Sequence, residues 1–289
     1  MPPAVIANLV QHTFFQSHST LQGEQKEKSF SGIAMRKCWA EVLGNCSDSL
    51  SGEHIVSKGL FATDMVGVQG LSWCKDAPKV VGLNSVTRKI LCTRHNNTLS
   101  PVDQAAIVAF DAFRESVRLT DVRQAMKERR WNIVHLPVDG EGLERWFLKT
   151  LINVTLGGDK KIGPKSIAPG EPSSDLVEIA YGQRKFPQSA GLHYSAEAGE
   201  TIDSEDRVTI IPFFDSQNEC VLGGTFYFRG FRFMLCLVDE GFTGNVTLVH
   251  KDGRAPSRYA QPRRHLKHFK VTVGPTQRYV SHSIDFVWN

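Results

Sequence analysis

Two pairs of metal-ligating residues lie in the first third of the 289-residue chain. Seven residues separate Cys38 from Cys46, and two separate Cys92 from His95. A Cys-x2-His pair can bind zinc from one tight turn, and a further pair of cysteines completes four ligands without water, as a structural zinc site requires. The spacing therefore predicts a structural Zn²⁺ site, with Cys74 as a spare ligand. The alternative is a set of reduced cysteines beside an ordinary histidine, because free cysteine is often buried.

A carboxylate and an imidazole lie between these two pairs. Glu53 directly precedes His54, and Asn96 directly follows His95. Hydrolysis of a phosphodiester needs a base that deprotonates water and a divalent cation that stabilises the anionic transition state. Imidazole suits the first task, and the oxygen atoms of Glu53 and Asn96 suit Mg²⁺. An isolated Glu-His pair is common by chance, so its position between the two zinc half-sites is what favours a catalytic role.

The order of these motifs resembles the HNH nucleases of the His-Me finger, or ββα-metal, class. The resemblance covers about residues 36–118 and lies in Cys…Cys, Glu-His-Ile-Val-Ser-Lys, Leu-Cys-x-x-His-Asn and then Leu-Ser-Pro-Val-Asp. It implies a β-hairpin and a helix around one catalytic Mg²⁺ or Mn²⁺ ion, and DNA as the substrate. By the same resemblance, His54 is the general base, Glu53 and Asn96 are ligands of the catalytic ion, and the Cys/His set binds the structural zinc.

Two positions depart from the family pattern. The middle Asn of the motif falls on Thr87, whereas the nearest asparagine is Asn84, so the sequence leaves the middle residue open between them. Pro101 cannot lie inside a helix that starts at Cys92, because its ring would clash with an earlier carbonyl. We therefore expect a short first helix and a second helix with Ser100 as N-cap and Asp103 as a capping acid.

The remaining chain predicts an α+β protein. We expect a polar lead-in over 1–35, a zinc-containing ββα-metal (HNH) module over 36–118, and a C-terminal α+β domain with an antiparallel sheet over 119–289. The role of that last domain stays open between sensing an activating ligand or protein, recognising DNA, and forming a homo-oligomer. Periodicity predicts helices over 100–119, 121–130 and 141–156, and strands over 131–136, 207–214, 221–228, 231–238 and 245–250, with a turn at Arg229-Gly230.

Charge is unevenly distributed along the chain. The net charge is +4, but residues 171–206 carry eight acids and two bases, and residues 251–289 carry eight bases and two acids. If DNA binds outside the active site, we expect it near residues 251–270. No apolar run approaches the ~20 residues that span a bilayer, and the N-terminus lacks the features of a secretory signal, so we expect a cytoplasmic protein without a membrane partner.

These features predict a metal-dependent DNA endonuclease, and analogy with the family suggests restriction or anti-phage defence. The alternative is a zinc-stabilised nucleic-acid-binding module without nuclease activity, motivated by the displaced middle Asn and the basic C-terminal stretch.

Overall fold

A computed structural model describes most of the chain. It covers residues 37–71, 73–74, 77–127, 131–187, 190–194, 207–215, 219–238 and 281–288, and the backbone of 13–17 and 270–273. The described residues form a mixture of helices and mainly antiparallel sheets, which confirms the α+β class. The helices are α1 (Thr93–Thr98), α2 (Ser100–Ala125), α3 (Gly140–Thr155) and α4 (Ser174–Ala180).

The largest sheet joins strands from distant parts of the chain. Its hydrogen-bonded order is β4-β3-β1-β9-β10-β11-β8, and β7 pairs in parallel with β10. One strand of this sheet comes from residues 1–35, two come from residues 36–118, and the others come from beyond residue 119. The strands are β1 (Thr13–Ser17), β3 (Met65–Gln69), β4 (Lys79–Gly82), β7 (Lys161–Ile162), β8 (Gly191–Tyr194), β9 (Arg207–Phe214), β10 (Cys220–Phe228) and β11 (Phe231–Cys236).

Two smaller sheets complete the described strands. One has the order β12-β13-β6, with β13 parallel to β6, and the other is the antiparallel pair of β2 and β5. The predicted strand over 245–250 lies outside the described residues, as does most of the basic stretch over 251–289. These strands are β2 (Leu50–His54), β5 (Thr87–Cys92), β6 (Val134–Asp139), β12 (Lys270–Val273) and β13 (His282–Val287).

Helix α2 begins where the proline requires a new start. Pro101 lies in its first turn, where a missing N–H costs nothing. The predicted capping by Ser100 is wrong, because Leu99 is the N-cap residue and no side chain caps the helix. The separate helix predicted over 121–130 is also wrong, since α2 continues to Ala125. The apolar residues spaced three and four apart along this helix are buried, each being at most 5% exposed: Val102, Ala106, Ala109, Phe113 and Val117.

Helix α3 packs between the large sheet and the β2–β5 pair. Asp139 caps its N-terminus by accepting a hydrogen bond from the Gly142 N–H at 2.9 Å. Phe147 packs on the sheet, with its ring 4.4 Å from that of Phe226 and 5.4 Å from that of Phe233. Because α3 is buried on most sides, its polar side chains must find partners inside the protein.

The hairpin between β10 and β11 turns at the predicted dipeptide. Arg229 and Gly230 both have positive φ, at 48° and 82°, as a two-residue type I′ turn requires. Among the described residues, none of the helices combines the length and the apolar character needed to cross a bilayer.

Candidate metal centre and adjacent polar cluster

The β2–β5 pair leads directly into α1. Cys92 is the last residue of β5 and the N-cap of α1, and its Sγ accepts a hydrogen bond from the His95 N–H at 3.4 Å. In the other ligand pair, the chain turns between Cys38 and Cys46 at Gly44 and Asn45, which have positive φ angles of 72° and 53°. The two predicted ligand pairs therefore meet at the junction of strand and helix.

The four predicted zinc ligands lie together. His95 Nδ1 is 3.3 Å from the Sγ atoms of Cys38 and Cys92 and 3.5 Å from that of Cys46, and all four ligand atoms lie within 4.8 Å of one another. Zn–S and Zn–N bonds of about 2.3 and 2.0 Å in a tetrahedron place sulfur and nitrogen about 3.5 Å apart. The donor set therefore fits zinc, and the cluster could hold such a metal ion. Cys74 is buried outside it.

Within the described residues, this is the one group of three or more Cys, His, Asp or Glu side chains whose ligand atoms are close enough to hold a metal ion.

The thiols of the cluster differ in acidity. Burial raises the pKa of Cys38 to about 12, whereas for Cys92 the same effect is outweighed by hydrogen bonds, chiefly from the His95 backbone, which lower its pKa to about 6. Cys92 is thus the ligand that most readily becomes the thiolate that zinc binds.

Helix α4 supports the cluster from outside residues 36–118. At the end of α4, Tyr181 donates a hydrogen bond from its hydroxyl to the His95 carbonyl at 3.1 Å, and its ring meets the His95 ring edge-on with centroids 5.4 Å apart. No local motif around Tyr181 indicates this role, because its partner is 86 residues away.

Glu53 lies in a buried ion pair. Its side chain is 5% exposed, and Oε1 is 2.6 Å from Nζ of Lys149, which is 2% exposed. Asn153 Nδ2 also donates to Oε1, at 3.3 Å. Burial raises the pKa of Glu53, and the positive charge of Lys149 opposes that shift.

The prediction that Asp103 is a capping acid is wrong. Its carboxylate accepts hydrogen bonds from Lys149 Nζ at 2.7 and 2.8 Å and from the Ser57 hydroxyl. The Ser57 oxygen in turn accepts one from Trp146 Nε1 at 2.8 Å. Asp103 is therefore tied to Glu53 through the ammonium group of Lys149.

His54 ends β2 and is partly buried. Its Nε2 is buried and has no hydrogen-bond partner among the described residues. Burial lowers the pKa of His54, and the positive charges of Lys58 and Lys149 lower it further. A neutral imidazole with an unpaired nitrogen can accept a proton from a bound molecule.

Both candidates for the middle motif position lie near His54. Thr87 is its antiparallel partner in the register of β2 and β5. Asn84 Oδ1 accepts a hydrogen bond from Nζ of Lys58 at 3.3 Å, and its backbone carbonyl accepts one from the Thr87 hydroxyl at 3.3 Å.

Asn96 lies on α1 and is partly buried. No hydrogen bond between described residues joins its side chain to Glu53. The structure therefore brings the zinc ligands together and joins Glu53 to α2 and α3, but it does not show Glu53 and Asn96 as one ligand pair.

The sequence analysis missed Lys149 and Asn153. A charged and a polar residue on the apolar face of a helix are an unusual pattern that could have revealed them.

Comparisons with protein-family models, with curated proteins and with solved structures found no match.

Proposed function

We propose that the protein is a metal-dependent endonuclease of the HNH type that hydrolyses DNA phosphodiester bonds. The observation that carries the proposal is the arrangement of β2, β5 and α1. An antiparallel strand pair runs directly into a short helix, and a Cys3His cluster lies where strand and helix meet. The resemblance to HNH nucleases implies a β-hairpin followed by a helix. The arrangement supports the proposal, because β2 and β5 pair and lead into α1, although β3 and β4 lie between them in the chain, and His54 ends β2.

His54 is the proposed general base. Its lowered pKa keeps the imidazole neutral near pH 7, and Nε2, which has no hydrogen-bond partner among the described residues, can take a proton once water reaches this buried nitrogen. In the proposed step, Nε2 accepts a proton from water while the water oxygen bonds to phosphorus. The bond from phosphorus to the 3′ oxygen breaks, which leaves a 5′-phosphate and, after protonation, a 3′-hydroxyl.

The proposed metals have separate tasks. Zinc held by the Cys3His cluster would be structural, because four protein ligands leave no open position. A Mg²⁺ or Mn²⁺ ion would neutralise charge on the phosphate in the transition state. Glu53 and Asn96 are its proposed ligands, since carboxylate and amide oxygens are the donors that Mg²⁺ prefers. The contacts of Glu53 with Lys149 and Asn153 fall on Oε1, so Oε2 is the oxygen left for such an ion.

The test is cleavage of supercoiled plasmid DNA by the zinc-loaded full chain with Mg²⁺ or Mn²⁺. We expect nicking that a chelator stops and that His54→Ala reduces by a factor on the order of 100 to 10,000. His135→Ala is the matched control, because His135 is an exposed histidine on β6 that pairs with Asp285. Cleavage by His54→Ala at the parent rate would remove His54 from this role.

A second candidate is a zinc-stabilised nucleic-acid-binding module without nuclease activity. The ion pair between Glu53 and Lys149 favours it, because this pairing stabilises the buried carboxylate without any metal ion. DNA binding that weakens with salt, without turnover in Mg²⁺ or Mn²⁺, would support this function instead. Comparing modified with unmodified DNA in the same assays would test the suggested role in restriction or anti-phage defence.

A further inference from the structure

A buried lysine outside the nuclease-like segment bridges two carboxylates. Lys149 lies on α3, and its Nζ is 2.6 Å from Glu53 Oε1 and 2.7 and 2.8 Å from the two Asp103 oxygens. Glu53 comes from β2 and Asp103 from α2, so a single ammonium group joins three elements. A buried charge persists only where it is paired and hydrogen-bonded, which these contacts achieve.

The Lys149 ammonium is itself fixed by its surroundings. Asp103, which accepts two of its hydrogen bonds, also accepts one from Ser57, and Ser57 accepts one from the buried indole of Trp146. Ser57 is 6% exposed and Trp146 is fully buried. A lysine side chain has many conformations when free, and this network selects one of them.

Asn153 holds the same carboxylate one helical turn further along α3. Its Nδ2 donates at 3.3 Å both to Glu53 Oε1 and to the His54 carbonyl. Residues four apart lie on one face of a helix, so Lys149 and Asn153 reach β2 together. Because both contacts with the carboxylate fall on Oε1, they restrain its plane and leave Oε2 for another partner.

The charges of the cluster suit a metal ion followed by a phosphate. Two carboxylates and one ammonium group have a net charge of −1. A divalent ion bound at Oε2 would change this to +1, and the phosphodiester anion would then neutralise it. Without Lys149, the ion alone would neutralise the two carboxylates, and the site would attract phosphate less strongly.

We propose that Lys149 and Asn153 are positioning residues of the nuclease site, which hold Glu53 Oε1 so that Oε2 binds the catalytic divalent ion. The inference rests on the proposed function. It assigns α3, in the segment whose role the sequence left open, a direct part in assembling the site.

Mn²⁺ binding to the zinc-loaded full chain tests this without relying on activity, with the electron paramagnetic resonance signal of free Mn²⁺ as the readout. We expect Lys149→Met to weaken Mn²⁺ binding at least tenfold. The buried Glu53 carboxylate would lose the cation that pairs with it and would move, so that Oε2 would no longer face the metal ion. A purely electrostatic role predicts the opposite, namely tighter binding once a nearby positive charge is gone.

The control is Arg88→Met, which removes another, partly buried cation that contacts α3. Arg88 donates to the carbonyls of Asn153 and Leu156 at 3.1 and 3.2 Å, at the end of the helix, and has no hydrogen bond or ion pair with the Glu53 carboxylate, although the two residues are cross-strand partners in β2 and β5. We expect parental Mn²⁺ affinity per folded molecule in this variant. Cleavage rates at saturating Mn²⁺ should follow the same order, with kcat reduced at least tenfold in Lys149→Met alone.

If Lys149→Met does not fold, Asp103→Asn is the variant that tests the inference. The Asp103 side chain is 26% exposed, so its replacement disturbs packing less. We expect Mn²⁺ binding at least threefold weaker in that variant. Unchanged or tighter Mn²⁺ binding in Lys149→Met, or unchanged binding in Asp103→Asn, overturns this inference but not the proposed function. A parent that binds no Mn²⁺, or a Glu53→Gln variant that binds it like the parent, overturns the proposed metal site and the inference with it.

Discussion

Replacing Cys92 with alanine is expected to remove zinc from the protein. The substitution deletes the Sγ atom 3.3 Å from His95 Nδ1 and, with it, the acceptor for the His95 N–H at the start of α1. Four-ligand zinc peptides bind with apparent free energies of ~10–16 kcal/mol, or about 3 kcal/mol per ligand if divided evenly. Loss of one ligand should therefore weaken zinc binding by a factor on the order of 100 or more.

Zinc content after dialysis, measured by mass spectrometry, and competition with a chromophoric chelator provide the assay. We expect one zinc per parent chain and substantially less in Cys92→Ala. Cys74→Ala is the matched control, because Cys74 is 3% exposed and lies outside the cluster. Equal zinc content in the two variants, or a parent chain that retains no zinc when dialysed from zinc-containing buffer, would refute the reasoning.

Three further substitutions test the packing of α3, α4 and β13. Phe147→Ala should lower the free energy of unfolding by ~3–5 kcal/mol, because a fully buried ring is lost, and denaturant unfolding measures this. Tyr181→Phe removes the hydrogen bond to the His95 carbonyl and should cost about 1 kcal/mol while zinc content stays constant. Burial lowers the pKa of His282 from 6.5 to about 4, so its stabilising contribution is complete above pH 6.5 and is lost as the pH falls toward 4. The loss is about 3 kcal/mol, and unfolding of His282→Gln should lack this pH dependence.

Each of these expectations can fail in a specific way. A loss below about 1 kcal/mol in Phe147→Ala would mean that α3 does not pack on the sheet as described. Loss of zinc from Tyr181→Phe would show that α4 holds the cluster together and does more than stabilise the fold. The control for His282 is His135→Gln, whose side chain is 58% exposed, and equal pH slopes in the two variants would exclude the buried imidazole as the cause.

Secondary structure was the most predictable feature, because it depends on local periodicity and turn chemistry. The strand predicted over 207–214 has the same bounds as β9, and the turn predicted at Arg229-Gly230 has the positive φ angles that it needs. Boundaries failed where packing overrides local signals. Helix α2 continues past residue 119 to Ala125, and Ser100 does not cap it.

The zinc cluster was predictable for a chemical reason. Few side chains can bind zinc, so ligand type and spacing alone selected Cys38, Cys46, Cys92 and His95, and their ligand atoms lie within 4.8 Å. Cys74 has the same chemistry, and only the fold excludes it from the cluster.

By itself, the sequence determined which residues could bind a metal ion or take a proton, because those abilities belong to the side chains. Only the tertiary structure decided what surrounds Glu53. Asn153 is 100 residues from Glu53, and Lys149 and Asp103 come from different helices, so no local pattern joins them. They meet because burying α3 against β2 and α2 removes their charged groups from water, and a charge removed from water requires an opposite charge nearby.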